Sequence, residues 1–259
     1  MDSLAQWLVD HLVLAVLVMT RLSALLMAMP AVGVGVPKRV RAFLAVALTV
    51  LVLPPVASET PLDSLPRIDN LVELAIAVTR EGLLGLLIGA TVQLIITGLQ
   101  LGGEMITSTG GMQLGDAVDP TTSSSMPSVA RLVGLLVTAI MLIAGGHRIL
   151  LSVLMDSFHS VPAGQVEFHH SMMELVIDQL SAGMAAGVRV AAPVIAALLL
   201  SNLVTGLISR TLPQINVLAI GLSINALAML VVLAITIGSA GLVFQDELAT
   251  VASKLGGLW

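Results

Sequence analysis

An all-α, polytopic membrane-type protein is the fold class this sequence predicts, and three observations predict it. Of 259 residues, 57% are hydrophobic and only 10% charged, whereas an ordinary soluble domain is about a quarter charged. Apolar runs recur at about 4–30, 40–57, 71–101, 129–155, 175–209 and 215–244, each near or above the roughly 20 residues that cross a hydrocarbon layer about 30 Å thick. The runs lack period-two alternation, Tyr is absent and Phe occurs 4 times, so the signature of a membrane barrel with aromatic girdles is missing. Helices remain as the spanning structure, because they satisfy every backbone group internally.

The first run follows Met1-Asp2-Ser3 with no basic leader, so it reads as a retained helix rather than a cleaved signal. It ends near Pro30. Pro37 then precedes Lys38, Arg39 and Arg41, a cluster that the positive-inside rule assigns to the cytoplasm; six spans would then leave both termini outside. The second run is expected to stop at Pro54-Pro55, where a connection rich in proline reaches to Asn70. The third run, Leu71–Leu101, would be about 45 Å long as a helix, too long for a simple span. After it comes the longest polar stretch, Gly102 to Ser128. The fourth run leads to a connection at about Asp156–Ser171. The fifth carries Arg189 and Pro193 and reads as two helices with a break. A short connection, Ser209-Arg210-Thr211-Leu212-Pro213-Gln214, precedes the last run.

Three features within these runs invite a functional reading. Arg21, Arg80, Glu81 and Arg189 are charges inside apolar segments, where a charge is costly unless it meets a partner or a wet cavity. Arg80 and Glu81 point about 100° apart on a helix, so they cannot pair face to face, and at least one is expected to meet another helix or subunit. Gly85/Gly89, Gly98/Gly102 and Gly183/Gly187 repeat at the four-residue spacing that lets helix backbones approach closely in a membrane. The stretch from Gly103 to Pro120 is rich in glycine yet keeps Met105, Ile106, Met112, Leu114 and Val118. On the residues alone a plain interhelical loop is the simpler reading; a segment buried in protein or occluding a passage is the other, because non-helical backbone at membrane depth needs such cover. Met105, Gly110, Gly111, Met112, Gly115, Asp119 and Pro120 are its candidate residues.

Other classes fare poorly. With no cysteine there is no thiol chemistry, disulfide or thiolate metal site. There is no Gly-x-Ser-x-Gly elbow and no His-Glu-x-x-His pattern, and His169 and His170 are adjacent rather than spaced as helical ligands. Asp116 lacks the second membrane-embedded aspartate of an intramembrane protease. A net charge of −5 gives nucleic acid no purchase. A small-molecule transporter stays open on Arg189, Pro193 and Asn202, which could sit at a broken helix near midplane, and so does a scaffold without a pore.

Ordered motifs give the chain a family resemblance. Arg21 precedes Pro30, then Val36-Pro37-Lys38-Arg39-Val40. Glu81-Gly82 is followed by Gly85 and Gly89, and Gly103-Glu104 by Gly111 and Val118-Asp119-Pro120. Met126-Pro127, Gly146-His147 and Asp156-Ser157-Phe158-His159 with Pro162 come next, then Gly206-Leu207-x-x-Arg210 ahead of Pro213-Gln214. In order and spacing these resemble the FliR/SctT family of type III export-gate core subunits, most of all its flagellar branch. One departure is Gly221-Leu222-Ser223-Ile224 where the family commonly has Gly-Phe-Pro-Leu, so the last helix should lack a proline bend.

The resemblance implies a single FliR-like domain over 1–259 with long bent helical hairpins. A FliP-like half, about 1–170, would hold a plug loop at 103–128, and a FliQ-like half would occupy about 171–259. It implies one copy assembled with five FliP-like and four FliQ-like subunits, beside FlhA-like and FlhB-like components, in the bacterial inner membrane at the flagellar basal body, partly above the membrane plane. Unfolded exported proteins would pass through the pore, driven by the proton-motive force and an associated ATPase, with no cofactor and no catalytic residue in this chain. Arg21, Pro37, Arg80, Glu81, Glu104, Arg189, Arg210, Pro213 and Gln214 would serve assembly. A virulence-secretion subunit is the alternative within the same family.

Overall fold

The computed structural model describes residues 11–33, 36–60, 65, 71–111, 128–211 and 217–257. Every regular element among them is a helix: α1 Leu12–Ala28, α2 Pro30–Gly33, α3 Lys38–Glu59, α4 Leu71–Thr109, α5 Ser128–Ile143, α6 Gly146–Ser160, α7 His170–Thr211 and α8 Val217–Gly256. The all-α membrane-type expectation holds. Among the described residues, α3 (over Lys38–Ser58), α4 and α7 are each long and apolar enough to cross a membrane, and the number rises to five if α5 with α6, and the two parts of α8, each count as one broken span. α1, over its described residues Leu12–Ala28, is shorter, so the described residues show at most five such spans where the apolar runs suggested six. At 39 and 42 residues, α4 and α7 measure about 60 Å along their axes at 1.5 Å per residue, whereas the 40 residues of α8 are bent by 49° between Ile220–Thr236 and Gly241–Gly256.

Several boundaries differ from the sequence expectation. α4 does not stop at Leu101 but runs on to Thr109, so Met105 lies in a helix and the connection starts at Gly110. Helix packing outweighs the low helix propensity of Gly102-Gly103: a Cβ on Gly102 would fall 2.5 Å from the Gly187 carbonyl oxygen, and one on Gly103 would fall 2.8 Å from the Ala130 Cα. α7 is one helix through Pro193 rather than two, with Val190, Ala191, Val194 and Leu198 buried along it. α3 likewise continues through Pro54-Pro55 to Glu59. The run at 129–155 is instead broken at Ala144-Gly145, where Gly145 has φ +76°.

Two compact units can be described separately. The first comprises Met1–Gln93, Gly145–Asp178 and Leu248–Trp259, so it draws on both sides of residue 170. In α1, Leu14, Leu17, Val18, Arg21, Leu22 and Leu25 are buried at the three- and four-residue spacing of an amphipathic stripe. α1 packs on α3, and α3 touches α6. Leu84, Ile88 and Val92 of α4 and Leu150, Leu154 and Phe158 of α6 are buried in the same unit. At the surface Lys254 Nζ lies 3.1 Å from Asp178.

The second unit comprises Leu94–Ala144 and Gln179–Glu247. Its core takes Ile95, Ile96, Leu99 and Ile106 from α4, Val133, Val137 and Met141 from α5, Ala186, Val194 and Leu198 from α7, and Met229, Leu233 and Phe244 from α8. The opposite faces of α7 and α8 are apolar and open: Leu199, Leu200, Leu203 and Leu207 on one, Leu227, Leu230 and Ile235 on the other, all more than half exposed.

Candidate functional site

In the first unit, the stripe of α1 that should be wholly apolar contains Arg21, which is 0% exposed, as is Glu81 of α4. The two form a two-pronged ion pair, Nε to Oε2 at 2.5 Å and Nη2 to Oε1 at 3.1 Å. The remaining guanidinium protons go to the chain around the end of α6. Nη1 donates to the Ser157 carbonyl and hydroxyl, both at 3.1 Å, and to the Val161 carbonyl at 3.3 Å. Nη2 donates to that same carbonyl at 3.2 Å. The Gly164 N–H donates to Glu81 Oε1 at 2.7 Å, and the Phe158 ring lies 4.1 Å from the guanidinium carbon. Every charge-bearing group is thus paired, the condition under which a buried ion pair is tolerated. Planar, forked geometry is what arginine supplies and lysine cannot.

Two glycines make this approach possible. A Cβ on Gly85, one turn after Glu81, would collide with the Arg21 carbonyl oxygen. Gly164 sits at φ +86°, a left-handed conformation that side chains disfavour, and this turns its N–H onto the carboxylate. Gly89 extends the seam, since its Cβ would fall 2.6 Å from the Ala28 Cβ. The centre therefore ties α1, α4, α6 and the 161–164 turn to one another.

In the second unit, α4 and α7 cross on four glycines. A Cβ on Gly98 would overlap the Gly183 carbonyl, one on Gly187 the Gly98 carbonyl, and one on Gly183 would fall 2.6 Å from Leu94 O. Contacts advance together along both helices, 98 with 183 and 102 with 187, so the two run parallel here. All four predicted packing glycines of this pair serve one seam. Beside it, Glu104, Met105, Met184 and Val188 line an apolar cavity of about 240 Å³.

α4 takes in the first seven residues of the expected plug stretch, 103–109, which are helix rather than loop. Gly110 N–H donates to Ile106 O at 2.9 Å, Gly111 N–H to Ser108 O at 3.3 Å, and Gly111 has φ +70°, the left-handed cap that ends many helices. Asn202 Nδ2 of α7 donates to Thr109 O at 3.1 Å, and Asn225 Nδ2 of α8 to Gly110 O at 3.3 Å. Of the plug candidates, Met105 is an exposed helical residue, Gly110 is buried and Gly111 half-buried. Met112, Gly115, Asp119 and Pro120, like Pro213 and Gln214, lie outside the described residues.

The other predicted residues are separate. Pro37 is the residue that starts α3, exposed at φ −55°. Arg80 is exposed beside the buried Glu81 and, with Leu71, Val72, Ala75, Ile76 and Thr79, lines an apolar groove. Arg189 is exposed on α7, and Arg210 lies exposed in its last turn, where a cation suits the helix dipole. Sequence reasoning did not single out Ser157, Val161 and Gly164 as partners of the ion pair, or Asn225 as a cap. Small polar residues inside apolar runs were the only signal. Among the described residues no three His, Asp or Glu side chains gather as a metal site.

Comparison with known proteins adds lineage. The sequence profile of the family described as bacterial export proteins, family 1, matches residues 12–251. The chain is similar to the flagellar biosynthetic protein FliR of Caulobacter vibrioides, 28% identical over 236 residues, covering 90% of this chain and 92% of the relative. It is 31% identical to FliR of Escherichia coli K12 over 187 residues, 72% of this chain and 69% of that one. With FliR of Bacillus subtilis it shares 25% over 213 residues, 81% and 80% of the two chains.

Proposed function

This chain belongs to the bacterial export proteins, family 1, the FliR family, and from that premise we propose that it is a non-enzymatic structural subunit of the flagellar type III protein export gate. In this reading one copy joins five FliP-like and four FliQ-like subunits, a FliP-like half preceding a FliQ-like half within the chain. FlhA-like and FlhB-like components stand beside the complex in the bacterial inner membrane at the flagellar basal body. Unfolded flagellar proteins thread the shared pore, and the stretch beyond Gly110 plugs it at rest.

The observation that carries the reading is the mismatch between helix length and bilayer. α7, about 60 Å long, keeps apolar, exposed side chains from Met173 to Leu207, while a hydrocarbon layer covers about 30 Å. Lipid covers part of that face, and the apolar length beyond the hydrocarbon layer supports contact with other protein. The parallel glycine seam and the buried ion pair supply a rigid frame, and the residues at the α4 end supply hydrogen bonds to carbonyls rather than a reacting constellation.

Co-purification tests the assembly. Tagged chain from its native membrane is expected to bring down two small hydrophobic proteins in unequal copy number. Recovery as a stable monomer that transports a small solute would overturn the proposal. Deleting Gly110–Gly115 tests the plug: the complex should still assemble and leak ions at rest. An assembled deletion complex with unchanged leakage would remove the plug from the reading and leave the subunit role standing.

A further inference from the structure

One helix has the length of a bilayer and carries unused cations at one end. Over Lys38–Ser58, α3 has 21 residues, about 31 Å at 1.5 Å per residue, against a hydrocarbon layer of about 30 Å. α4 and α7, also long and apolar enough to cross, run to 39 and 42 residues. A spanning helix with little length to spare sets its ends at the two headgroup layers. Side chains at its start therefore meet headgroups rather than hydrocarbon or bulk water.

The sides of α3 differ in what covers them. Ala45, Thr49, Leu53 and Val56 are buried at the spacing of one helical face, in a unit where α3 touches α1 and α6. Arg39, Phe43, Val46 and Val50 follow one another at steps of four, three and four residues and form a stripe on another face. All four are exposed, and the Phe43 ring is 76% open. A helix that is apolar on its open side as well as its packed side has the character of a membrane span.

Charge is the independent observation. Lys38, Arg39 and Arg41 open α3. Arg41 is engaged within the chain, where its Nη2 donates to the Val36 carbonyl at 3.3 Å. Lys38 and Arg39 are exposed and have no ion pair or hydrogen bond among the described residues. Cations at the start of a helix stand at the unfavourable end of its dipole, and no acidic residue in the first turn offsets them. The charge at this end of α3 thus has no compensation among the described residues.

We propose that the start of α3 is a contact site for acidic phospholipid of the bilayer, with Lys38 and Arg39 on the anionic headgroup and Phe43, Val46 and Val50 along the acyl chain. Long cationic side chains reach from a helix end to the headgroup plane while their methylenes stay on apolar surface. Arg39 and Phe43 lie one turn apart on the same stripe, so one lipid engages both. A free phosphate ion would use the cations alone and leave the apolar stripe open. An acidic protein segment would cover, with protein, a helix that already has the dimensions of a bilayer. A lipid accounts for both halves of the surface. The site lies beyond the subunit role and involves no part of the plug.

The test uses the protein as it leaves its native membrane, alone or assembled, in neutral detergent. Native mass spectrometry reads dissociation constants for phosphatidylglycerol, phosphatidylcholine and inorganic phosphate. A cation beside an anionic lipid surface corresponds to about a five-fold change in affinity. Lys38→Gln and Arg39→Gln should each weaken phosphatidylglycerol binding about five-fold, and together roughly twenty-five-fold, with phosphatidylcholine binding little changed. Phe43→Gln should weaken both lipids alike. Arg131→Gln combined with Arg148→Gln removes two exposed cations elsewhere and should leave the preference as it was. Exposed substitutions of this kind are tolerated by the fold, and if the Lys38, Arg39 double variant does not accumulate, the single variants decide. Equal affinity of the unaltered protein for the two lipids overturns the proposal, and is the result that an acidic partner covering Lys38 and Arg39 would give. Displacement of phosphatidylglycerol by inorganic phosphate at similar concentration assigns the cations to a free anion and also overturns it. An equal loss in the Arg131, Arg148 control overturns the location, and a silent Phe43→Gln overturns the acyl-chain half.

Discussion

Arg21 and Glu81, 60 residues apart in the chain, meet with neither side chain exposed, and the guanidinium uses all its donor positions on the carboxylate, Ser157 and Val161. A pair of this kind is evidence of required geometry more than of net stability, since desolvation consumes much of the attraction. Removing one partner is another matter, because it strands the other charge.

The first prediction follows from that asymmetry. Arg21→Met or Glu81→Leu alone should cost about 3–5 kcal/mol and remove the chain from the membrane fraction. The double variant should recover part of the yield, but not all: Val161 O and the Gly164 N–H would lose the side-chain partners they have here. A double-variant cycle on folded yield measures the coupling, and a double variant no better than either single one would contradict it.

Close approach of α4 and α7 makes the second. Gly98→Ala places a methyl on the backbone carbonyl of Gly183 and should destabilise by about 1–3 kcal/mol through forced separation. Gly206→Ala, in open space on α7, should be neutral or stabilising by up to about 1 kcal/mol, the usual gain from replacing helical glycine. Thermal unfolding of the detergent-solubilised complex distinguishes the two, and equal midpoints would refute the seam.

Arg80 and Glu81 should part company, which is the third. Arg80 is exposed beside an apolar groove and has no ion pair or hydrogen bond among the described residues. Arg80→Leu should leave the fold within about 0.5 kcal/mol yet reduce incorporation into the complex. Glu81→Gln should fail earlier, at accumulation of the chain itself. Protease resistance in membranes, compared with co-purified partner, separates folding from assembly, and a protease-sensitive Arg80→Leu chain would refute this division.

Much of this was readable in the residues. The apolar runs predicted where α3, α4, α7 and α8 start to within five residues, but α4 and α8 run on 8 and 12 residues past the expected ends, to Thr109 and Gly256; the four-residue glycine spacing predicted a seam on each of its helices. What could not be read was which helix met which. Nothing local to Arg21 indicates Glu81, and nothing local to Gly98 indicates Gly183, because such partners are chosen by tertiary packing. Gly102-Gly103 suggested a loop and Pro193 a break, since each residue lowers intrinsic helix preference. In both places burial against neighbours outweighed the local term. Asn225 was invisible for the opposite reason: one small polar residue in an apolar run has no periodic signature, and its role emerges only when the end of α4 is brought beside it.

The lengths of α4 and α7 have a consequence for handling this protein outside the cell. A detergent belt mimics a bilayer and shields about 30 Å of apolar surface. A helix near 60 Å long then extends well beyond its shield, carrying side chains such as Met173, Leu199 and Leu203 that are open along its flank. No amphiphile matched to a membrane solubilises the whole of such a surface, and water serves the remainder badly. The suitable solvent for the uncovered half is other protein, so the isolated chain should be harder to keep dispersed than the larger complex it enters.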